Sequence, residues 1–336
     1  KVLASSNNSG FNFIWRINYS YPGFSCGSIY LCNLLKIFFL KKKYFIEDEI
    51  IKFQISDDIT KKVADFYNIK PFPNYDDNDN RQTLLHKGSR NQLAYKFKNY
   101  VGFNKNILEV GPGTCQLSMY LAIGTNNQIV ALDPTLESLK LGQKFAKLNN
   151  IKNINFINAD IFDDVLEENV FDFVWCNGVL HHTKDPYNAF KIILKSVKKD
   201  GYIIIGLYNK FGRIRTKVRK FFYKIFGKKL LMLFDPMIRS IKKNSEEQIE
   251  AWIRDQYKHP VESLHTFDEI LGWFKSNNVE FVNSIPSCDF ISNNENIFEK
   301  TVDGNLISRI LNQISMIFTP LGGDGGLFVF IGKKLM

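Results

Sequence analysis

Apolar and polar positions follow two alternating patterns from about residue 105 onward. Short runs rich in Val, Ile and Phe, typical of buried strands, cover residues 106–110, 128–132, 153–157, 171–176 and 202–207. Between them, notably at 136–148 and 186–197, apolar residues recur three or four positions apart, as one face of a helix requires. Strands that alternate with helices pair in parallel. We therefore predict an α/β domain with a Rossmann-like, doubly wound, mostly parallel sheet.

The regular pattern does not extend over the whole chain. We divide the chain into a poorly patterned N-terminal segment at 1–45, a helical cap at 46–103 and the α/β domain at 104–336. Within the cap, helices are expected at about 47–67 and 90–101. The domain carries a helical insertion at 208–260, followed by a predicted helix at 263–275 and strands at 280–285 and 327–332. The longest apolar run near the start is too short to span a bilayer.

A glycine-rich turn follows the first strand, in the sequence Glu109-Val110-Gly111-Pro112-Gly113-Thr114. Glycine has no Cβ, so such a turn lets backbone N–H groups approach a ligand closely. Asp133 ends the second strand, and Ala159-Asp160 follows the third. A carboxylate at the second strand's tip can accept both hydroxyls of a ribose, and polar groups at the third tip can bind an adenine edge. The pattern indicates an adenosine-containing cofactor.

Two adenosine cofactors suit this arrangement, and two positions separate them. A nicotinamide dinucleotide fingerprint requires a third glycine where this chain has Gln116. Glu109 lies two residues before Gly111, where a carboxylate could hold an ammonium group rather than a pyrophosphate. Both positions argue against a dinucleotide and favour an adenosine cofactor that carries an ammonium group.

Together with the segment 171–182, these motifs resemble the class I S-adenosylmethionine-dependent methyltransferases of the small-molecule type. The resemblance is strong over residues 104–207 and looser up to residue 336. It implies a seven-stranded sheet whose last strand runs antiparallel. It also implies these cofactor contacts: Glu109, Gly111, Gly113 and Thr114 around the methionine moiety, Asp133 at the ribose, Ala159 and Asp160 near the adenine, and Asn177 beside the sulfonium. Cys115 stands where many members have a third glycine, and its small side chain still allows close helix packing.

Methyl transfer from a sulfonium is a direct displacement, so neither a nucleophilic side chain nor a metal ion is required. His181 and His182 follow the fourth strand, where an imidazole could accept a proton from a substrate hydroxyl or amine. Alternatively, one imidazole packs in the core while the other caps the loop. Further candidates to face the substrate, or else to pack or form turns, are Phe72, Tyr75, Tyr208, Asn209 and His259.

A metal site is not expected in this chain. His259, Glu262 and His265 are spaced by three residues, but Pro260 interrupts the helix that would place them on one face. A cap or lid over the pocket is the better interpretation of this segment.

The net charge is concentrated in one segment. Its 44 Lys and Arg against 34 Asp and Glu give the chain a charge of +10, yet residues 210–243 alone contain 12 basic side chains and one acidic residue, Asp235. Apolar residues recur there at helical spacing, at Phe211, Ile214, Val218, Phe221, Phe222 and Ile225. Three interpretations stay open: a lid packed on the domain, an amphipathic helix on an anionic membrane, and an RNA-binding surface. RNA is disfavoured, because residues 177–180 lack the Pro-Pro-aromatic motif of enzymes that methylate exocyclic base amines.

These features predict an S-adenosylmethionine-dependent methyltransferase that acts on a small-molecule or lipid-like acceptor. The alternatives are a non-catalytic binding subunit with the same fold and an RNA methyltransferase that uses the basic insertion. Five cysteines without a CxxC pair argue against a disulfide framework and favour a reducing, cytoplasmic location, with peripheral contact at an anionic membrane through 210–243 as an option. The acceptor atom and the oligomeric state cannot be read from the sequence.

Overall fold

The computed structural model describes residues 40, 42, 44–235, 238–239, 246–289, 296–318 and 326–335. Most of the N-terminal segment 1–45 and part of the basic insertion, including Lys242 and Lys243, lie outside the described residues. The strands are β1 Phe45–Glu47, β2 Ile50–Lys52, β3 Asn106–Val110, β4 Gln128–Asp133, β5 Ile154–Asn158, β6 Phe171–Asn177, β7 Val197–Tyr208, β8 Val279–Ile285 and β9 Leu327–Lys334.

Helices cover both faces of the sheet and form the cap. They are α1 Asp58–Ile69, α2 Arg81–Arg90, α3 Gln92–Val101, α4 Gln116–Ala122, α5 Leu136–Leu148, α6 Pro186–Ser196, α7 Ile214–Phe226, α8 Lys228–Phe234, α9 Glu246–Tyr257, α10 Phe267–Ser276 and α11 Leu306–Ser315. Two short 3₁₀ turns, Ile161–Asp163 and Leu180–His182, follow β5 and β6. Every strand and helix predicted from residue 90 onward is present, with bounds shifted by a few residues.

The strands form one sheet in the order β1-β2-β5-β4-β3-β6-β7-β9-β8. The five strands from β5 to β7 pair in parallel, whereas β9 runs antiparallel to both β7 and β8. The predicted α/β class and the antiparallel last strand are therefore confirmed. The predicted count of seven strands is too low, because β1 and β2 form an antiparallel hairpin that adds to the edge at β5.

The hairpin replaces the start of the helix expected at 47–67. Asp48 and Glu49 have positive φ angles of 51° and 67° and make the turn, while Ile50 is fully buried beside the sheet. A pair of β-branched residues fits a sheet edge better than a helix. The helix begins only at α1, where the Asp57 carboxylate accepts hydrogen bonds from the N–H groups of Ile59 (3.1 Å) and Thr60 (2.9 Å).

The central strands are apolar on both faces because helices cover both faces. Ile107, Leu108, Ile129 and Val130 are at most 1% exposed, which explains why these strands are continuous apolar runs rather than alternating ones. On one side of β3 the chain continues to β4 and β5, and on the other side it continues to β6 and β7. In an open α/β sheet a ligand crevice forms where the strand order reverses in this way.

The insertion after β7 contains α7, α8 and α9. Buried apolar side chains from α8, α9 and the residues between them form a second, smaller core: Leu231, Ile238, Ile249, Trp252, Ile253 and Tyr257. Phe72, from the segment that follows α1, packs against this core. Within the described residues, no helix is long and apolar enough to cross a bilayer.

Candidate active site

A cavity of about 620 Å³ opens at the carboxyl ends of β3, β4, β5 and β6. Its floor consists of the residues at these strand ends: Val110, Gly111, Pro112, Gly113, Leu132, Asp133, Asp160, Asn177, Gly178, Val179 and His182. Its opposite wall comes from α1, the segment 72–74 and α9, and includes Thr60, Val63, Tyr67, Phe72, Gln248, Ala251, Trp252, Asp255 and Gln256. The helical cap at 46–103 and the helix α9 of the insertion therefore enclose one space together with the sheet.

The glycine loop leaves no room for side chains. Gly111 and Gly113 have φ angles of +65° and +54°, a region that other residues rarely adopt. A Cβ on Gly111 would lie 2.3 Å from the side chain of Val179, and a Cβ on Gly113 would lie 2.4 Å from the Phe72 carbonyl oxygen. The cap segment therefore crosses directly over the loop, and both glycines are required by space as well as by φ.

Asp133 connects the end of β4 to the glycine loop. One carboxylate oxygen accepts a hydrogen bond from the N–H of Gly113 (3.0 Å), and the other accepts one from the N–H of Thr135 (2.7 Å). Burial raises the pKa of this carboxyl to about 6, against the opposing effect of these two hydrogen bonds. The group is therefore fixed in orientation, faces the cavity and retains lone pairs that can accept ribose hydroxyls.

Asp160 lies one strand further along the same edge and also lines the cavity. Its carboxylate accepts a hydrogen bond from the N–H of Phe162 (3.0 Å) and caps the 3₁₀ turn after β5. Burial raises the pKa of this carboxyl. Ala159, which the resemblance also placed near the adenine, is fully buried and does not line the cavity.

Glu109 and Thr114 lie behind the loop rather than in the cavity. The Glu109 carboxylate accepts a hydrogen bond from the Ser118 hydroxyl on α4, and burial raises its pKa to about 7. The Thr114 hydroxyl donates to the carbonyl of Pro73, and its own carbonyl accepts from the Tyr75 hydroxyl (2.7 Å). These contacts fix the loop from behind, so any contact of Glu109 with the cofactor would be indirect.

Asn177 ends β6 and lines the cavity. Its Oδ1 atom is buried and has no hydrogen-bond partner among the described residues. The side chain lies against Gly206 of β7, where a Cβ would come within 1.6 Å of Oδ1. A buried acceptor without a partner is costly, which favours a donor supplied by a bound ligand.

Of the two adjacent histidines, His181 lies in the core and His182 lines the cavity. His181 is fully buried and packs on the Tyr208 ring, with ring centroids 4.0 Å apart, and neither of its nitrogens has a partner among the described residues. His182 lines the cavity, and its Nδ1 donates to the carbonyl of Val261 (2.6 Å). Burial lowers the pKa of His182 to about 4 and that of His181 well below its usual value. His182 is thus a neutral imidazole whose Nε2 carries the lone pair.

His259 supports His182 from behind. The two rings stack with centroids 3.6 Å apart, and His259 does not line the cavity. Burial lowers the pKa of His259 to about 3, with a further contribution from His182. The structure therefore places His259 beside the cavity, in contact with His182 but not among the lining residues.

Of the other substrate candidates, Phe72 and Tyr208 line the cavity, whereas Tyr75 and Asn209 do not. Tyr75 stacks on Phe145 with ring centroids 4.4 Å apart. The Asn209 side chain accepts hydrogen bonds from the N–H groups of Phe211 and Gly212, so it caps the turn after β7.

The three residues considered for a metal site bind other partners. His259 stacks on His182, Glu262 pairs with the Arg213 guanidinium (2.8 Å), and the His265 imidazole contacts Glu269 (2.9 Å). Within the part of the chain that the structure describes, no group of His, Cys, Asp or Glu side chains could hold a metal ion.

Sequence reasoning missed the polar residues that the cap contributes. The Tyr67 hydroxyl on α1 donates to the Asp255 carboxylate on α9 (2.6 Å). The Gln256 amide donates to the other Asp255 oxygen (2.8 Å) and to the Tyr208 hydroxyl (3.0 Å). Helical spacing in 246–257 could have indicated α9, but nothing in one sequence indicates that α9 closes over the sheet.

A comparison of sequences supports the assignment that this geometry suggests. Residues 103–268, just under half of the chain, match the family model described as a methyltransferase domain. The matched region contains the glycine loop, Asp133, Asp160 and Asn177. Together with the strand order, this match identifies residues 103–268 as a methyltransferase domain of the class I type, which uses S-adenosylmethionine as its cofactor.

Known relatives resemble this chain at moderate to low identity. An uncharacterized protein of Synechococcus sp. is 23% identical over 252 residues, 67% of this chain and 60% of that protein. The ubiquinone biosynthesis O-methyltransferase of Neisseria meningitidis is 29% identical over 107 residues, 32% of this chain and 45% of the relative. The chain therefore spans about half the length of these relatives.

One solved structure matches most of this chain at low sequence identity. The magnesium protoporphyrin IX methyltransferase from Synechocystis, determined with bound S-adenosylhomocysteine, matches 82% of this chain and 100% of its own, at 13% identity and a TM-score of 0.48. An identity of this size concerns the fold alone.

Proposed function

We propose that the protein transfers a methyl group from S-adenosylmethionine to a hydroxyl of a small, largely apolar acceptor by direct displacement. The observation that carries the proposal is the single cavity shared by the glycine loop and the cap. A cofactor held at the strand ends and an acceptor held under the cap would meet within it.

The floor of the cavity fits the proposed cofactor. Gly111 and Gly113 line the cavity without side chains, and a Cβ on either would collide with Val179 or with the Phe72 carbonyl oxygen, so the loop presents its backbone to a ligand. The Asp133 carboxylate would accept the ribose hydroxyls, Asp160 would contact the adenine, and Asn177 has an unpartnered side-chain oxygen at the end of β6. When bound, S-adenosylmethionine supplies an electrophilic methyl carbon on a sulfonium.

The cap gives the acceptor side its chemical character. Val63, Phe72, Ala251 and Trp252 make much of this wall apolar or aromatic, and Leu327 of β9 adds an apolar side chain to the cavity. Such a wall binds an apolar body by excluding water, and the few polar groups orient it. Excluding water also prevents loss of the methyl group to hydrolysis. These properties support a lipid-like or aromatic acceptor rather than a charged one.

His182 is the residue positioned to receive the acceptor's proton. Its Nδ1–H is held by the Val261 carbonyl, so Nε2 is the nitrogen available to the cavity, and a pKa of about 4 keeps the ring neutral near pH 7. An imidazole fixed in one tautomer can accept a hydroxyl proton as the oxygen attacks. The name of the Neisseria relative, an O-methyltransferase, supports oxygen as the acceptor atom.

Isothermal titration with S-adenosylhomocysteine tests the cofactor site. Gly113→Ala should abolish measurable binding, because the added Cβ would meet the Phe72 carbonyl oxygen. Gly124→Ala is the matched control: Gly124 has a φ of +75°, but no atom lies within 4 Å of an added Cβ. Both variants carry about 1–2 kcal/mol of backbone strain, so only the collision distinguishes them.

Three results would count against the proposal. A folded, intact chain that binds no S-adenosylhomocysteine would rule out the cofactor site. Equal loss of binding in both glycine variants would show that general destabilisation is responsible, rather than the collision between the Gly113→Ala side chain and the Phe72 carbonyl. If binding occurs and no acceptor is ever methylated, the non-catalytic scaffold becomes the better description.

A further inference from the structure

The helix α11 is amphipathic, but its polar face rather than its apolar face packs against the rest of the protein. Its polar residues Ser308, Asn312 and Gln313 are buried, whereas its apolar residues face solvent. The exposed apolar residues of α11 and the turn after it are Leu306 (56%), Ile307 (69%), Ile310 (38%), Leu311 (47%) and Phe318 (75%). A contiguous apolar patch on a soluble protein usually marks an interaction surface.

The helices α7 and α8 also expose their apolar residues. In α7 only Thr216 is buried. The exposed set is Ile214, Val218, Phe221, Phe222, Ile225 and Phe226 on α7, and Met232, Leu233 and Phe234 on α8. The sequence pattern alone predicted an apolar face for 214–225, and the structure shows that the domain does not cover this face.

The start of α7 contacts the turn that follows α11. The Arg215 guanidinium donates to the carbonyls of Ile317 and Phe318, each at 3.4 Å. The exposed apolar side chains of α7, α8 and α11, with Phe318, are therefore parts of neighbouring elements. We refer to them as the α7–α11 surface.

Basic side chains accompany the α7–α11 surface. Arg215, Lys217, Lys220, Lys224 and Lys228 make no ion pair with any described residue. The only acid between residues 210 and 243 is Asp235, which is 2% exposed and accepts a hydrogen bond from the Trp252 indole (3.1 Å). The surface thus combines exposed aromatic residues with positive charge that the described residues leave uncompensated.

We propose that the α7–α11 surface docks on an anionic lipid bilayer. Phe and Leu side chains can enter the boundary between headgroups and acyl chains, while Lys and Arg side chains extend to the lipid phosphates. The proposed contact is peripheral, through side chains of α7, α8 and α11. This inference does not depend on the proposed methyl transfer.

Two other occupants fit the observations less well. A symmetric pairing of two copies through this surface would place one basic α7 near another, and like charges repel. RNA would be held by the basic residues alone, and the exposed apolar face of α11 would have no role in binding it. A bilayer uses both features, the charge and the apolar area.

Vesicle flotation of the full chain tests the proposal. Vesicles of phosphatidylcholine with phosphatidylglycerol should bind the protein at low salt, and pure phosphatidylcholine should bind it far less. The triple variant Phe221→Ser, Phe222→Ser, Ile225→Ser, and the triple variant Leu306→Ser, Ile307→Ser, Leu311→Ser, should each lose at least about tenfold in vesicle affinity. The matched control changes three exposed apolar residues elsewhere: Ile69→Ser, Phe103→Ser and Leu148→Ser.

A second pair of variants tests the charge. Lys217→Gln, Lys220→Gln and Lys224→Gln together should weaken binding to anionic vesicles by about tenfold or more at low salt, with a smaller effect at high salt. The control replaces three exposed lysines outside the surface: Lys62→Gln, Lys144→Gln and Lys152→Gln.

Three results would overturn the proposal. The first is equal loss of vesicle affinity in the surface variants and their controls. The second is a concentration-dependent dimer that the serine variants abolish while vesicles do not bind. The third is binding of a labelled RNA that depends on the lysines but not on the apolar residues, again without vesicle binding. Circular dichroism of every variant separates these results from misfolding.

Discussion

A single carboxylate, Asp133, both shapes the glycine loop and faces the cofactor cavity. Its two oxygens accept the N–H groups of Gly113 and Thr135, so the side chain is oriented before any ligand arrives. Preorganised acceptors bind a ligand without the cost of ordering the protein at that moment. Burial, which makes the position rigid, also makes the charged form costly and raises the pKa to about 6.

The affinity for S-adenosylhomocysteine should therefore depend on pH. As the pH falls through about 6, the Asp133 carboxyl is protonated and loses acceptor sites for the ribose hydroxyls. We expect the affinity to fall roughly tenfold between pH 7 and pH 5, as titration of one group requires. Isothermal titration across this range measures the effect.

Two variants identify the group responsible for this dependence. Asp133→Asn should bind weakly with little change between pH 5 and pH 7. Asp160→Asn should keep the dependence on pH, although Asp160 also lines the cavity and its pKa is also raised by burial. A flat profile in the unmodified protein would show that Asp133 does not titrate on binding.

Among the cofactor contacts predicted from the sequence, most of the residues at the strand ends line the cavity, whereas some residues next to them do not. Gly111, Gly113, Asp133, Asp160 and Asn177 all line the cavity, because the carboxyl ends of parallel strands share one edge of the sheet. Glu109, Thr114 and Ala159 do not. Glu109 still belongs to β3, and a strand side chain points to a face of the sheet, here towards Ser118 of α4.

At the level of elements, α1 and α9 close the cavity together. The Tyr67 hydroxyl on α1 donates to Asp255 on α9 (2.6 Å), and the Arg254 guanidinium on α9 donates to the Phe66 carbonyl (2.8 Å). The Lys70 and Glu250 side chains form an additional ion pair of 3.5 Å. These contacts cross between two helices that are far apart in sequence, so they hold the cap as one unit.

The variant Tyr67→Phe should loosen this cap without unfolding the domain. It removes one buried hydrogen bond and keeps the aromatic ring, so we expect about two- to tenfold faster release of S-adenosylhomocysteine. Stopped-flow fluorescence or surface plasmon resonance measures the dissociation rate. Tyr95→Phe, an exposed tyrosine on α3, is the control. Unchanged release in both variants would mean that opening of the cap does not limit dissociation.

The sequence did not predict the hairpin of β1 and β2 or the orientation of α11, and each has a physical reason. The hairpin of β1 and β2 was missed because its acidic turn resembles the polar first turn of a helix. In α11, helical spacing of Leu306, Ile307, Ile310 and Leu311 indicates an apolar face but not the direction in which it points. The polar face turns inward because Gln313 accepts hydrogen bonds from Asn209 (2.9 Å) and from the N–H of Phe267 (3.0 Å).

For the whole molecule, the buried cysteines report on global folding. Cys115, Cys176 and Cys288 are buried and free, whereas Cys26 and Cys32 lie outside the described residues. Burial raises the pKa of all three described thiols, that of Cys288 to about 12. Thiolates, not thiols, attack disulfide reagents, so these three groups should be inert in the native protein.

Titration with Ellman's reagent tests this expectation. No more than the other two of the five thiols should react in the folded protein, and all five should react in urea. In the control variant Cys115→Ser, the count should fall by one in urea and stay the same in the folded protein. A third thiol that reacts quickly in the native state would show that a part of the core opens on its own.

Arg213 connects the start of α7 to the wall of the cavity by side-chain contacts. Its buried guanidinium lies 3.7 Å from the centroid of the Tyr208 ring, which lines the cavity, and α7 begins at the next residue. A displacement of α7 would therefore act on Tyr208 and also on Gln256 and Glu262, which the same guanidinium contacts. The bilayer contact proposed for α7 would therefore be connected to the wall of the cavity through the Arg213 guanidinium.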